Sequence, residues 1–433
     1  MASRALKDEH QQERAASQAL AFLQELLREY HPRDFAIELW DGTSWEPEPG
    51  QFRRLTWRIR HPGAPRAAFG VPSQLAFAEA YIYGDFDLDG DLETVFPLAE
   101  FFLNKNWSLK QKVHLKNLLA CLPDSSESRP TRPGPRLHGR VHSKERDRDV
   151  MRYHYDLSNE FYRLWLGQEM VYSCAYFENP EDDLDTAQRQ KLDYVCRKLR
   201  LRAGERLLDI GCGWGALLIH AAREYGANAV GITLSREQAR LAEERIQRED
   251  LGGRCQVKLL DYRDLIETEA FDKIVSIGMV EHVGEANLAE YFRRAYQALR
   301  PGGVFLNHGI GVPEWRAAKH GPTFTDVYVF PDGELFPIST VMRTAEHEGF
   351  EVRDVENLRD HYALTLRHWL RGLEDHCDEA RRLVDEVTYR IWRLYAAGSA
   401  YFFQSGKLEL YQTLLEKSVK GKSGMPLTRR DWY

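Results

Sequence analysis

The chain has 433 residues, of which 43% are hydrophobic and 29% charged, and a formal net charge of −7. That length exceeds one typical domain, and the composition is ordinary for a soluble globular protein. A negative balance gives no bulk attraction to nucleic acid or to an anionic membrane, so any affinity for phosphate has to be local.

The amino-terminal stretch M-A-S-R-A-L-K-D-E-H is charged and lacks the apolar core of a signal peptide. No apolar run approaches the roughly 20 residues that span a bilayer. Six scattered cysteines (Cys121, Cys174, Cys196, Cys212, Cys255, Cys377) form no C-x-x-C pair. The expectation is a cytoplasmic protein with reduced thiols and no metal site.

Residues 9–31 carry Ala16, Leu20, Leu23, Leu27 and Tyr30 at helical spacing. Phe35, Ile37 and Leu39 then alternate, D-G-T-S turns the chain, and Leu55, Trp57 and Ile59 alternate back, which is a hairpin signal. Ala76 to Tyr83 reads as helix, broken at Gly84 by the acidic run Asp85 to Glu93. That run does not fit the ordered spacing of an EF-hand, and is expected to be a solvated turn and helix start. Residues 1–121 thus read as an α+β module.

Residues 122–149 cluster Pro, Ser and Gly and read as a linker. From Arg129 to Arg152 there are eight Lys/Arg against three Asp/Glu. The segment is either a solvated linker or a contact for phospholipid head groups.

From 150 to 433, strand and helix patterns alternate as in a doubly wound α/β sheet. The expected strands are Arg206–Ile210, Ala229–Thr233, Cys255–Leu260, Phe271–Ile277 and Gly303–His308. Ligands of such sheets sit beyond the carboxyl ends of the strands. There the chain offers D-I-G-C-G-W-G (Asp209 to Gly215), T-L-S-R-E-Q (Thr233 to Gln238), Asp261-Tyr262, G-M-V-E-H-V-G (Gly278 to Gly284) and H-G-I-G (His308 to Gly311). Gly211, Gly213 and Gly215 let the backbone turn sharply and approach a ligand, with a helix amino terminus directly behind. Thr233 and Gln238 suit a ribose or the methionine end of a ligand, Asp261 an adenine amino group, and Tyr262 a stacking ring. The segment beyond Trp315 is aromatic and reads as mostly helical, either plain packing or the wall of a pocket for an apolar substrate.

The form D-x-G-C-G-x-G resembles that of S-adenosylmethionine (SAM) methyltransferases. Together with H-Y-D-L-S-N-E-F-Y (His154 to Tyr162), Y-S-C-A-Y-F (Tyr172 to Phe177), D-Y-R-D, E-H-V-G and N-H-G-I-G, it resembles the cyclopropane-fatty-acyl-phospholipid synthases and the related mycolic acid enzymes over residues 150–420. The resemblance implies a Rossmann-like class I fold with helical lipid-binding insertions. It also implies methyl transfer from SAM to a cis double bond of a phospholipid acyl chain, then ring closure after proton loss to a bound bicarbonate. The bicarbonate shell it implies is Cys174, Glu281, His308, Ile310 and Tyr362, with Cys174 and Ile310 offering backbone N–H groups. For SAM it implies Tyr172, Ser173, Asp209, Gly211, Cys212, Gly213, Gly215, Thr233, Leu234, Ser235, Gln238, Asp261 and Tyr262.

Glu281 beside an anion is a like-charge problem, so its pKa is expected to rise. Some family members carry a cysteine where Ser399 stands here, and Ser399 reads as a small packing residue. A methyl-branching lipid enzyme, an amine N-methyltransferase and a non-catalytic lipid- or SAM-binding protein are the alternatives. Peripheral membrane contact through the basic linker and through Lys417, Lys420, Lys422, Arg429 and Arg430 is expected, at the inner membrane face. The resemblance also points to a homodimer.

Overall fold

The structure, a computed structural model, describes residues 2–71, 73–124, 137–155, 157–316 and 323–432, with backbone alone at 2–9 and 153–155. Residues 125–136 of the expected linker, and the His154 side chain with Asp156, lie outside the described residues. The chain packs as two units. One holds residues 1–133, 321–329 and 385–398; the other holds 134–320, 330–384 and 399–433. Two late segments therefore belong with the amino-terminal module, where the sequence division at 121 and 150 treats each domain as continuous.

The first unit carries strands β1 (Phe35–Glu38), β2 (Ser44–Trp45), β3 (Leu55–Ile59) and β4 (Phe86–Gly90), in the order β2-β1-β3-β4. The expected hairpin between the first and third of these does not form. β1 turns at Gly42 into the short β2, and β3 then runs parallel to β1. The reason lies in residues 46–54: Glu48 N donates to Arg33 O and Arg54 N to Asp34 O, returning the chain to the start of β1.

The acidic run is an edge strand, not a solvated turn. Phe86 and Leu88 point inward while Asp89 lies against Arg58 of β3 and Asp87 against Arg60. Alternation with period two let apolar and acidic residues share one strand. Only Asp91 starts a helical turn, accepting from Glu93 N. Trp57 anchors the core of this unit among Phe69, Phe77 and Phe86, with ring centroids 5.5–6.0 Å away. The later segment joins it through Arg390, which pairs with Asp87 at 2.6 Å and donates to Tyr81 O at 3.0 Å.

The second unit is built on seven strands: β5 (Arg206–Ile210), β6 (Asn228–Thr233), β7 (Cys255–Leu259), β8 (Phe271–Ile277), β9 (Leu299–Gly311), β10 (Glu351–Asn357) and β11 (Glu409–Glu416). Their order is β10-β11-β9-β8-β5-β6-β7. The five expected strands are parallel; β11 pairs antiparallel with β9 and β10 antiparallel with β11, so β11 alone runs against the rest. β10 and β11 lie in the part expected to be mostly helical. β10 reads E-V-R-D-V-E-N and stays half-exposed, so no hydrophobic run marks it.

Side chains alternate across the sheet. Leu207, Val275 and Leu306 enter one core, and Leu208, Ile274 and Phe305 enter the other. Both faces are buried, as a parallel sheet requires. This is the Rossmann-like class I arrangement. Its topological switch lies between β5 and β8, and the conserved geometry of such sheets puts the ligand crevice there.

Several expected membrane contacts are used inside the second unit. The Lys144–Tyr155 helix begins within the expected linker, with Lys144 paired to Asp264 and Arg146 to Asp332. Lys417 is buried, donating to Tyr296 O, Leu299 O and Glu269, and Arg429 pairs with Asp354. Lys420 and Lys422 are exposed.

Candidate active site

The strand β5 ends at Ile210 and the chain turns through Gly211, Cys212 and Gly213 into the Ala216–Tyr225 helix. Gly211, Gly213 and Gly215 all have positive φ, and they differ in what surrounds them. A Cβ on Gly211 would stand 2.6 Å from Met279 Cγ, and one on Gly215 would stand 3.1 Å from Ala242 Cβ. Those two are needed for packing. A Cβ on Gly213 would meet nothing within 4 Å, because that residue borders open space. Cys212 has its thiol pushed up by burial and packs beneath Gly231, which leaves no room for a Cβ there.

The space is a cleft at the carboxyl ends of β5, β6 and β8. Of the expected SAM residues, Tyr172, Ser173, Asp209, Gly211, Cys212, Gly213, Thr233, Leu234, Gln238, Asp261 and Tyr262 line it. Gly215 and Ser235 do not: Ser235 caps the Arg236–Arg248 helix by accepting from Gln238 N. Thr233 donates to Gln238 Oε1 at 2.9 Å, which leaves the Gln238 amide NH2 for a ligand.

Asp261 lines the cleft as expected, and it also has a partner the sequence did not show. Both of its oxygens accept from the Arg263 guanidinium, at 2.8 and 2.6 Å, and Arg263 reaches on to Asp147 at 2.8 Å. The carboxylate thus holds a basic side chain that ties the Lys144–Tyr155 helix to the cleft. Tyr262 packs edge-on against Tyr291, and its buried hydroxyl has no hydrogen-bond partner among the described residues.

Sequence reasoning missed Lys191. Its side chain is 1% exposed and borders the cleft, where Nζ donates to Ser173 Oγ at 2.9 Å. Burial lowers its pKa to about 8 and raises that of Asp209, also in the lining, to about 7. The signal was helical spacing: Gln188, Lys191, Val195 and Lys198 recur on one face of the Leu184–Leu199 helix, all buried. Gln188 also fixes the Tyr172–Ser173 segment by donating to Ser173 O at 3.0 Å.

The five residues expected around bicarbonate do not line this cleft, and contacts through β9, β11 and Leu358 connect all of them but His308. Glu281 sits on the short turn Val280–His282 after β8, and its Oε1 accepts from Ile310 N at 2.6 Å. The Ile310 N–H is therefore spent on Glu281 and does not face a ligand, contrary to expectation. Ile310 pairs with Leu410 across β9 and β11, Leu410 O accepts from Leu358 N, and Leu358 O accepts from Tyr362 N. Cys174 is buried with its Sγ 3.1 Å from Ala175 O and 3.9 Å from Leu358 O.

Burial raises Glu281 to about 7, so the expected rise arises from desolvation without any anion. His308 is 1% exposed and pressed well below its ordinary pKa by burial. Glu281 Oε2 and His308 Nε2 are buried and have no hydrogen-bond partner among the described residues. An aromatic run, Tyr172–Trp369–Tyr362–Phe403, leads from the cleft with centroid spacings of 5.2, 5.9 and 4.7 Å. Ser399 is buried in a helix, in agreement with a packing role.

The family model for mycolic acid cyclopropane synthetase matches residues 142–413. A probable fatty acid methyltransferase of Pseudomonas putida is 43% identical over 404 residues, covering 92% of this chain and 95% of that protein. The cyclopropane-fatty-acyl-phospholipid synthase of Escherichia coli (strain K12) is 36% identical over 287 residues, 66% of this chain and 72% of its own. Among solved structures, the cyclopropane synthase MmaA2 from Mycobacterium tuberculosis is 36% identical, with a TM-score of 0.59 over 62% of this chain and 98% of that one. Mycolic acid cyclopropane synthase CmaA1 complexed with SAH and CTAB is 34% identical, with the same TM-score and coverage. With the glycine-loop cleft at the sheet's switch point and a match of this extent, the chain belongs to the mycolic acid cyclopropane synthetase family and is a SAM-dependent methyltransferase.

Proposed function

We propose that the protein methylates a cis double bond in an unsaturated phospholipid acyl chain and closes a cyclopropane ring. One arrangement carries the reading: a carboxyl and an imidazole, Glu281 and His308, both buried and each with a polar atom that no described residue satisfies. Buried polar atoms are ordinarily satisfied by protein, by ordered water or by a ligand, so these two mark a place where a small polar molecule fits.

In this reaction the alkene π pair forms the bond to the sulfonium methyl, and the S–CH3 pair stays on sulfur. S-adenosylhomocysteine and a carbocation result. Loss of a proton from the added methyl leaves its C–H pair to close the ring. A bicarbonate held near Glu281, His308 and Tyr362 would supply the base. The donor set fits a small anion: a carboxyl with a pKa near 7 is available in its protonated form, and a neutral imidazole offers one N–H. An anion nearby would raise the Glu281 pKa further. Burial of the site keeps water from the cation.

A second reading is methyl branching without ring closure. It is favoured by the extent of the Pseudomonas putida match, 92% of this chain against 66% for the Escherichia coli synthase. The substrate lies in a bilayer, and among the described residues no helix is long and apolar enough to cross a membrane. Contact would then be peripheral, at the cytoplasmic face, with exposed Lys420 and Lys422 as candidates; a homodimer would double it.

The test is purified protein with SAM and vesicles of a cis-monounsaturated phospholipid, followed by fatty-acid mass spectrometry. A product one CH2 heavier that resists hydrogenation supports ring closure. A branched or reducible product of that mass selects the second reading, and no mass change with SAM still bound overturns both.

A further inference from the structure

His308 of β9 faces Gln412 of β11 in the antiparallel ladder, and both side chains are 1% exposed. Gln412 Nε2 lies 3.2 Å from His308 Nδ1, and Gln412 Oε1 lies 3.0 Å from Lys198 Nζ. An ammonium group only donates. The amide oxygen of Gln412 therefore faces Lys198, and the amide NH2 faces His308. Since an NH2 cannot accept here, Nδ1 presents its lone pair and carries no proton. The single proton of the neutral ring is then on Nε2, the buried atom without a partner among the described residues.

Lys198 is itself held in place. Its Nζ is 2.5 Å from Glu356 Oε2 and 3.6 Å from Asp354 Oδ2, and Tyr194 donates to the same Glu356 oxygen at 2.8 Å. The relay thus runs from a carboxylate pair on β10, through a lysine on the Leu184–Leu199 helix, to an amide on β11 and a ring on β9. A chain of donors and acceptors with a charge at one end has one consistent orientation.

We propose that Lys198 and Gln412 are positioning residues that hold His308 as the neutral Nε2–H tautomer, making it a hydrogen-bond donor to the bound reactants and not a base. This rests on the reading that places His308 at the reaction centre. The tautomer of a buried histidine is set by what its other nitrogen meets. Burial, with the positive charges of Lys191 and Lys198 behind it, also keeps the ring uncharged.

The experiment is nitrogen NMR of full-length protein labelled at histidine, with His308 assigned by its absence in His308→Gln. The wild-type ring should show a protonated Nε2 and a lone-pair Nδ1. Gln412→Glu puts an acceptor opposite Nδ1 and keeps a partner for Lys198. Its His308 should carry a proton on Nδ1, and turnover should fall at least tenfold with SAM affinity within twofold of wild type. Lys198→Gln removes the donor-only constraint on the amide and should give a mixture of both tautomers, which provides a second measurement if Gln412→Glu does not fold. A protonated Nδ1 in the wild type, or an unchanged tautomer in the folded variants, overturns the relay. A changed tautomer with full turnover would uphold the relay and overturn the placement of His308 at the reaction centre.

Discussion

Ile310 N donates to Glu281 Oε1 at 2.6 Å because the residue before it, Gly309, has no side chain. A Cβ on Gly309 would stand 2.2 Å from Val280 Cγ1, so only glycine lets the Val280–His282 turn lie against β9. The carboxyl is thereby aimed by backbone alone, and its second oxygen is left free for chemistry.

Gly309→Ala should force the turn off the strand. We expect a loss of about 1–3 kcal/mol in stability, the usual result of overpacking, with a larger loss of turnover than of SAM affinity. Val280→Ala in the same chain removes the clashing carbon and should restore most of both. Urea unfolding and single-turnover kinetics check this, and a silent Gly309→Ala would show that the contact is not tight.

Glu281 has its pKa raised from an ordinary 4.5 to about 7, so the native state binds more protons than the unfolded state between those values. Its contribution is favourable below 4.5 and is lost as the pH rises through 7. Glu281→Gln should therefore match wild type near pH 4.5 and exceed it in stability by about 3 kcal/mol at pH 8. Activity should fall by about 10²–10³-fold, the usual worth of a hydrogen-bonding group aimed at the reaction centre. Denaturation midpoints of both proteins across this range would refute the argument if their difference did not grow with pH.

Lys191 keeps its charge at pH 7 with a pKa of about 8, and its Nζ bonds only Ser173 among the described residues. The carboxylate at the amino-acid end of SAM is the group such a cation would meet. Lys191→Met should weaken S-adenosylhomocysteine about ten- to a hundred-fold, the worth of a charged hydrogen bond. Methylthioadenosine, which lacks that carboxylate, should bind unchanged. Calorimetry with both ligands separates this from a general collapse of the cleft, which would weaken the two equally.

Arg146 Nη2 donates to Asp332 Oδ1 at 2.8 Å and ties the Lys144–Tyr155 helix over the cleft, where Val150 and Met151 form part of the lining. Asp332→Ala should raise amide exchange across residues 139–151 and increase KM for SAM several-fold with kcat nearly unchanged. The melting temperature should also fall, since the pair is bidentate and mostly buried, so the local rise in exchange at 139–151 is the deciding readout. Exchange unchanged in this segment would show that other contacts hold the helix.

The five parallel strands and the glycine turn were legible because each buried strand is a short apolar run and each turn carries its own chemistry. Glu281 and His308 could be singled out because they follow strands at the ligand end of such a sheet. Less legible was anything depending on a partner far away in sequence. That Asp261 also grips Arg263, which reaches on to Asp147, could not be read from its position after a strand. Lys417 looked like a surface charge until Glu269 and two carbonyls were found at its head.

The amino-acid sequence by itself determined the Rossmann-like core, the glycine-loop cleft and the family, because periodicity and turn chemistry are local properties. The tertiary structure alone decided which atoms of the site are spent and which remain available. It took the Ile310 N–H out of the ligand shell, and it brought in β10 and β11, whose Glu356 and Gln412 stand behind His308 through Lys198. Proton positions depend on pairs of groups within hydrogen-bond reach of each other, and these pairs lie up to 214 residues apart in the chain.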